Sequence, residues 1–139
     1  MGVAGNDSTR AWTVGRSEKA DEVAPDGAEV RVLGRLEGIS TMEFLLAGGR
    51  VSNAVRHRTV DEVWYVLGGN GDLWRSGDGA GSVTELRPGT SVAIPLGTAF
   101  QFRAHEPGPL RIHAATVPPW PGQSEGEVVA GPWQPDLQA

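Results

Sequence analysis

The sequence predicts an all-β protein, a sandwich or barrel built from about nine short strands. Three observations carry that expectation. Apolar residues alternate with polar ones over short runs, the two-residue period of a strand with one face buried. Turn signals interrupt these runs at intervals of about 8–12 residues, the spacing of sandwiches and barrels, and the 20 glycines and 10 prolines are spread along the chain to supply them. No segment of useful length keeps a helical period.

Residues 1–28 are polar and irregular, with Pro25-Asp26-Gly27 reading as a turn and Trp12 and Val14 as a candidate edge strand. Strands are then expected over 30–36 and 39–46, where Met42, Phe44 and Leu46 alternate with polar or outward residues. Gly48-Gly49 turns the chain into a strand over 51–57, and another follows over 62–67. Gly68-Gly69-Asn70-Gly71 reads as a hairpin turn, because Gly and Asn tolerate the positive φ of tight hairpins. A return strand over 73–75 leads through a flexible connection, residues 76–82, to a strand over 83–86. Pro88-Gly89 and Pro95-Leu96-Gly97 bracket a strand over 92–94, and strands over 100–103 and 110–117 close the set. The tail, residues 118–139, is rich in proline, which blocks both helix and central strand, so it reads as an extended arm. Trp120 and Trp133 would anchor it on the barrel or on a partner subunit, each burying about 150–250 Å². The chain thus divides into an N-terminal arm (1–28), a β-barrel (29–117) and a Pro/Trp-rich C-terminal arm (118–139).

Bulk properties bound the function. A chain of 139 residues makes one domain that buries about 68% of its unfolded surface. A net charge of −5, with no basic cluster larger than Arg56 and Arg58, argues against nucleic acid, whose phosphates require grouped Lys and Arg. The absence of cysteine excludes disulfides and thiolate metal sites. No apolar run reaches signal-peptide or membrane-helix length, so a soluble cytoplasmic protein is expected, with no membrane partner.

Two polar residues stand out in the middle of the chain. Val51, Asn53, Val55 and His57 share one strand face, and Glu62, Trp64 and Val66 share a face of the next strand, where Val63, Tyr65 and Leu67 make the opposite face apolar as well. Neither face of that strand reads as freely solvated. A carboxylate set there needs a partner, because an unpaired buried charge costs several kcal/mol or more. His57 is the nearest candidate.

The spacing around these residues resembles the cupin superfamily. Gly49, then five residues, Val55-x-His57, four residues, Glu62, six residues and Gly69 match the first cupin motif. Gly89, five residues, Pro95-x-Gly97, two residues, Phe100, three residues and Ala104 match the second in register, with 19 residues between the two motifs. The resemblance spans roughly residues 30–117 and implies a cupin-type double-stranded β-helix, a jelly-roll β-barrel with a pocket between the motifs. It also implies a homodimer, since cupins commonly pair through sheet edges and exchanged terminal segments. Typical cupins hold a divalent metal with three His and one Glu, and those places here are Val55, His57, Glu62 and Phe100; Ala104 stands where Asn is usual. Two of the four ligands are absent, and a metal held only by His57 and Glu62 would be weakly bound. His113 has the wrong parity to help, and His105 falls in a turn. No other cofactor is implied.

What remains is His57 and Glu62 in an apolar barrel, either as a satisfied ion pair or hydrogen bond, or as an acid–base dyad exchanging a proton near neutral pH. The dyad reading gives an enzyme for isomerisation, dehydration or cyclisation of a small organic molecule, an isomerase, lyase or cyclase. By parity Asn53, Val55, Trp64, Phe100 and Phe102 would line its pocket, and Trp120 would lie over it as part of a lid. The alternatives are a non-catalytic cupin that binds a small ligand or a partner protein, and a metal-dependent oxygenase or lyase with ligands outside the motif.

Overall fold

The computed structural model describes residues 9–77 and 80–136. The first eight residues of the expected N-terminal arm, the middle of the 76–82 connection and the last three residues of the tail lie outside the described residues. The described residues form eleven strands: β1 (Glu22–Val23), β2 (Glu29–Leu36), β3 (Ile39–Leu46), β4 (Ala54–His57), β5 (Asp61–Gly68), β6 (Gly71–Ser76), β7 (Ser82–Leu86), β8 (Ser91–Ile94), β9 (Ala99–Ala104), β10 (Leu110–Val117) and β11 (Gly126–Val129). They make two sheets, one ordered β1-β2-β3-β10-β5-β8 and the other β11-β4-β9-β6-β7. The pairing is antiparallel in both. After β3 the chain changes sheet at each connection, the β6–β7 hairpin excepted. This is the jelly roll, two antiparallel sheets closed face to face over one core.

Alternation puts one side of each strand inside. On β5 the inward side chains Glu62, Trp64 and Val66 are buried. Trp64 is the hub of the interior. Phe44, Phe100 and Phe102 meet it edge to face, with centroids at 5.9, 5.7 and 5.0 Å, an arrangement worth roughly 0.5–1.5 kcal/mol per pair beyond the area it buries. The outward side chains Val63, Tyr65 and Leu67 are 50, 47 and 43% exposed, so the expectation that neither face of this strand is solvated is corrected. β5 lies within the sheet between β10 and β8, but among the described residues no second layer covers its outer side, and burial follows layers rather than composition.

Two further expectations are corrected. Gly68 to Gly71 does not close a hairpin: β5 pairs with β10 and β8, whereas β6 pairs with β7 and β9. The turn is tight, and Gly69 has φ +79°, but turn chemistry tells only that the chain reverses, not which sheet receives it. Trp12 and Val14 form no strand, and the edge strand is Glu22–Val23 instead. Trp12 covers the barrel by its ring, which lies so close over Gly34 that a Cβ there would sit 2.4 Å from it, and its indole N–H donates to the Arg35 carbonyl at 2.7 Å.

The tail departs from a strandless arm. A short 3-10 turn, Gln123–Glu125, leads into β11, which pairs with β4. β11 lies at the edge of its sheet, where flanking prolines interrupt no ladder, and it covers the otherwise open edge of β4. Trp120 packs against the core cluster. Beyond β11 the fully buried Gln101 exchanges hydrogen bonds with the Trp133 backbone, its amide donating to the carbonyl at 2.8 Å and its oxygen accepting from the N–H at 3.0 Å. The Arg103 guanidinium lies 4.1 Å from the Trp133 ring centroid.

Gly69 carries the sheet-switching turn under two constraints, the positive φ and a Cβ that would fall 2.3 Å from the Pro109 carbonyl oxygen. Gly69→Ala is expected to lower unfolding free energy by at least about 2 kcal/mol in urea titration. Gly97→Ala, with the same sign of φ but open space around it, should cost less.

Candidate functional site

The interior polar group assembles where β4 ends and β5 begins. His57 is the last residue of β4 and Glu62 the second of β5, in different sheets, both facing inward. His57 Nδ1 lies 3.3 Å from Glu62 Oε1, and the two residues are 8 and 2% exposed. The contact lacks the angles of a hydrogen bond, and Nδ1 is buried without a hydrogen-bond partner. An unsatisfied polar atom in this position costs about 1–3 kcal/mol. Glu62 Oε2 accepts from the Trp64 indole N–H, two residues along on the same face.

Two more carboxyl groups belong to this region. Asp26 is buried in the turn of the N-terminal arm, where its Oδ1 accepts from the Ala28 amide at 2.9 Å. Glu125, 1% exposed, comes from the C-terminal arm. Its carboxylate accepts from the Thr59 amide at 2.8 Å, the Thr59 hydroxyl at 2.6 Å and the Val60 amide at 3.0 Å. Sequence reasoning missed both: Pro25-Asp26-Gly27 reads as a turn and nothing more, and Glu125 stands in a polar stretch with no periodicity.

Electrostatics follow from burial. Desolvation raises the Glu62 carboxyl to about 8; the Trp64 indole opposes this, and the nearby charges of Asp26 and Glu125 reinforce it. Asp26 is raised by burial to about 6, against hydrogen bonds from the Ala28 amide and its own. Burial lowers His57, with Glu125 opposing. Burial would raise Glu125 as well, but the hydrogen bonds from Thr59 and Val60 and the proximity of His57 outweigh it and hold the carboxyl below its usual range. At neutral pH Glu62 is therefore protonated and His57 neutral. In these protonation states the two groups make no ion pair, and His57 Nδ1 makes no hydrogen bond.

The other residues expected around the site fall into three places. Val55 and Phe100 are cross-strand partners on β4 and β9, and the Phe100 ring meets the His57 imidazole at 5.2 Å, edge to face. Trp64, Phe100 and Phe102 are among the fully buried side chains. Asn53, 9% exposed, is tied to the N-terminal arm: its amide N–H donates to the Asp26 carbonyl at 2.8 Å and its side chain to the Pro25 carbonyl at 3.1 Å. Trp120 lies at the far end of the row that contains Glu62. Its N–H donates to Ser40 Oγ at 3.0 Å, Ser40 Oγ is 2.6 Å from Thr116 Oγ1, and Thr116 is the cross-strand partner of Glu62. His105 bonds Asp72 at the surface, and His113 stands on β10 with parity opposite to the buried Ile112 and Ala114.

A metal does not fit this donor set. The four places that the motifs assign to metal ligands hold Val55, His57, Glu62 and Phe100, one imidazole and one carboxyl, with the Phe100 ring against the imidazole. Among the described residues no group of three or more His, Asp or Glu side chains is placed to hold a metal ion. Asp26 and Glu125 add negative character without adding ligands.

The sequence model of the cupin domain matches residues 42–116. No curated protein matches the sequence. Among solved structures, KdgF from Halomonas sp. is 20% identical, with 79% of this chain and 94% of that chain covered and a TM-score of 0.63. Pac13, a nucleoside dehydratase from Streptomyces, is 11% identical over 86% of this chain and 92% of its own, with a TM-score of 0.65. The coconut allergen cocosin is 19% identical over 85% of this chain and 33% of its own, with a TM-score of 0.67. At these identities the likeness is one of fold.

The shifted groups set the pH dependence of stability. A carboxyl raised in the folded state contributes stability that is whole below its unfolded value, near 4.5 for Glu62, and is lost as pH rises toward about 8. Asp26 acts in the same sense up to about 6. His57, lowered in the folded state, works the other way, its contribution being lost as pH falls below its usual value. Melting temperature is therefore expected to fall between pH 6.5 and 8.5 in the wild type, and Glu62→Gln should flatten that decline. An equal decline in both proteins would assign it elsewhere.

Proposed function

The chain belongs to the cupin family, and we propose that it is a small single-domain cupin enzyme that moves protons on a small organic molecule, without a four-ligand metal. The observation that carries this reading is the buried His57 Nδ1, 3.3 Å from Glu62 Oε1 and committed to no hydrogen bond. Perturbed titratable groups set together in one interior are the mark of general acid–base sites. With Glu62 raised to about 8 and His57 lowered, the acid holds its proton and the base is free to take one at neutral pH.

In this reading neutral His57 removes a proton from carbon. The electron pair of the broken C–H bond forms a double bond, while the Glu62 O–H protonates the oxygen that receives or carries off electrons. If that oxygen is a carbonyl, the product is an enol; the imidazolium returns its proton to carbon as the Glu62 carboxylate takes back an enol O–H proton, giving an isomer. If it is a hydroxyl, the C–O bond breaks and water leaves with the Glu62 proton, and the imidazolium then resets Glu62 across the 3.3 Å gap. No redox partner is needed. Pac13, a nucleoside dehydratase, performs a reaction of this general kind in a similar barrel. Asn53, tied to the N-terminal arm, and Trp120, at the end of the Glu62 row, would border the guest; Val55, Trp64, Phe100 and Phe102 would form its apolar wall.

A second reading rests on a different observation. Trp64, Phe100 and Phe102 fill the interior, and among the large apolar side chains left exposed, Val63, Tyr65 and Leu67 on the outer face of β5 and Val117 beside them on β10 lie together. This favours a binding role through the outer face, with a second copy of the chain as its first occupant. A two-fold axis sets such a patch against its own copy.

Deuterium wash-in separates the two. Incubated in D₂O with a panel of small hydroxy and keto compounds, the wild type is expected to label one C–H position, and His57→Ala should label it at least about 100-fold more slowly. Labelling unchanged by His57→Ala would remove the dyad. Light scattering addresses the outer face: a dimeric wild type and a monomeric Val63→Asp/Leu67→Asp variant are expected, and a monomeric wild type would remove the dimer.

A further inference from the structure

We propose that Glu125 is a positioning residue of the His57–Glu62 site, carried in by the C-terminal arm to fix the turn that joins the two strands. The inference deepens the dyad reading, but it concerns geometry and is tested without turnover.

His57 and Glu62 stand in different sheets, so no ladder of backbone hydrogen bonds sets their separation. The connection between them does. β4 ends at His57 and β5 begins at Asp61, which leaves Arg58, Thr59 and Val60 as the turn. All three of its backbone amides bond Glu125. The Arg58 amide donates to the Glu125 carbonyl at 2.9 Å, and the Thr59 and Val60 amides share carboxylate Oε2 at 2.8 and 3.0 Å. The Thr59 hydroxyl takes the other oxygen at 2.6 Å. One residue thus satisfies every backbone donor of the turn, where a buried donor left without a partner costs about 1–3 kcal/mol.

Glu125 is itself held from both sides. Its amide donates to the Gly122 carbonyl at 3.0 Å, closing the 3-10 turn, and the next residue, Gly126, is the cross-strand partner of His57. The same arm that fixes the turn is therefore in register with the imidazole's own strand. Such a placement exceeds what anchoring a tail requires, since Gln101 and Trp133 already do that further along.

The test reads two resonances of the full-length protein by NMR, the His57 ring and the Trp64 indole N–H that donates to Glu62. Glu125→Gln keeps size but removes the charge and leaves a single acceptor oxygen, so the two amides and the Thr59 hydroxyl can no longer all donate to the side chain. It is expected to shift both resonances beyond their linewidths and to lower the melting temperature. Arg58→Ala removes only the exposed bond from Arg58 Nε to the Ser124 carbonyl, another tie between the same turn and arm, and should leave both in place. Thr59→Val deletes one donor to the carboxylate and should shift them in the same direction by less. If Glu125→Gln melts earlier with both resonances unmoved, Glu125 merely anchors the arm and the proposal falls. It falls equally if Arg58→Ala moves them as far. Should Glu125→Gln not fold, Thr59→Val decides: a shift supports the proposal and none overturns it. Failure of the dyad itself would appear elsewhere, as deuterium wash-in that survives His57→Ala, with these shifts intact.

Discussion

Glu62 in an apolar interior is the constraint that the rest of the structure answers. A carboxylate without a partner at such a depth is too costly to keep ionised, and the ordinary outcome is that it holds its proton. Here three nearby features push the same way: full burial, and the charges of Asp26 and Glu125. One hydrogen bond, from the Trp64 indole, opposes them. The imidazole beside it is lowered by the same desolvation. Two groups that would form a salt bridge in water are thus held apart as a neutral acid and a neutral base.

The aromatic cluster is the other half of that arrangement. Trp64 is both the packing centre for Phe44, Phe100 and Phe102 and the donor to Glu62, so the side chain that makes the interior dry also orients the carboxyl within it. Phe100 stands at a place where many cupins have a metal-binding histidine and presses its ring against His57 instead.

Both terminal arms contribute to this one end of the barrel. The N-terminal turn brings Asp26 and bonds Asn53 through two backbone carbonyls. The C-terminal arm brings Glu125 and adds β11 to the edge of β4, and a Cβ on Gly126 would meet the Pro25 ring at 2.8 Å, so the arms touch each other there. The barrel supplies His57 and Glu62, and the arms supply the carboxyl groups around them.

The all-β class, nine of the strand positions within a residue or a few, and the inward parity of His57 and Glu62 were legible in the sequence. They rest on local rules: alternation of side chains along a strand, and turn residues at fixed offsets. The motif spacing added the barrel and the departures at Val55 and Phe100. What the chain could not declare by itself was sheet membership and company. Gly68 to Gly71 reads as a hairpin whether its strands pair or part, and Val63, Tyr65 and Leu67 read as buried until it is known that nothing lies over them. Asp26 and Glu125 carry no local signal, because their meaning comes from charge interactions across 36 and 63 residues of chain, to Glu62 in both cases. Sequence determined which groups face inward; tertiary structure alone decided which of them meet and in what protonation state, since desolvation depends on everything that surrounds a charge and not on its neighbours along the chain.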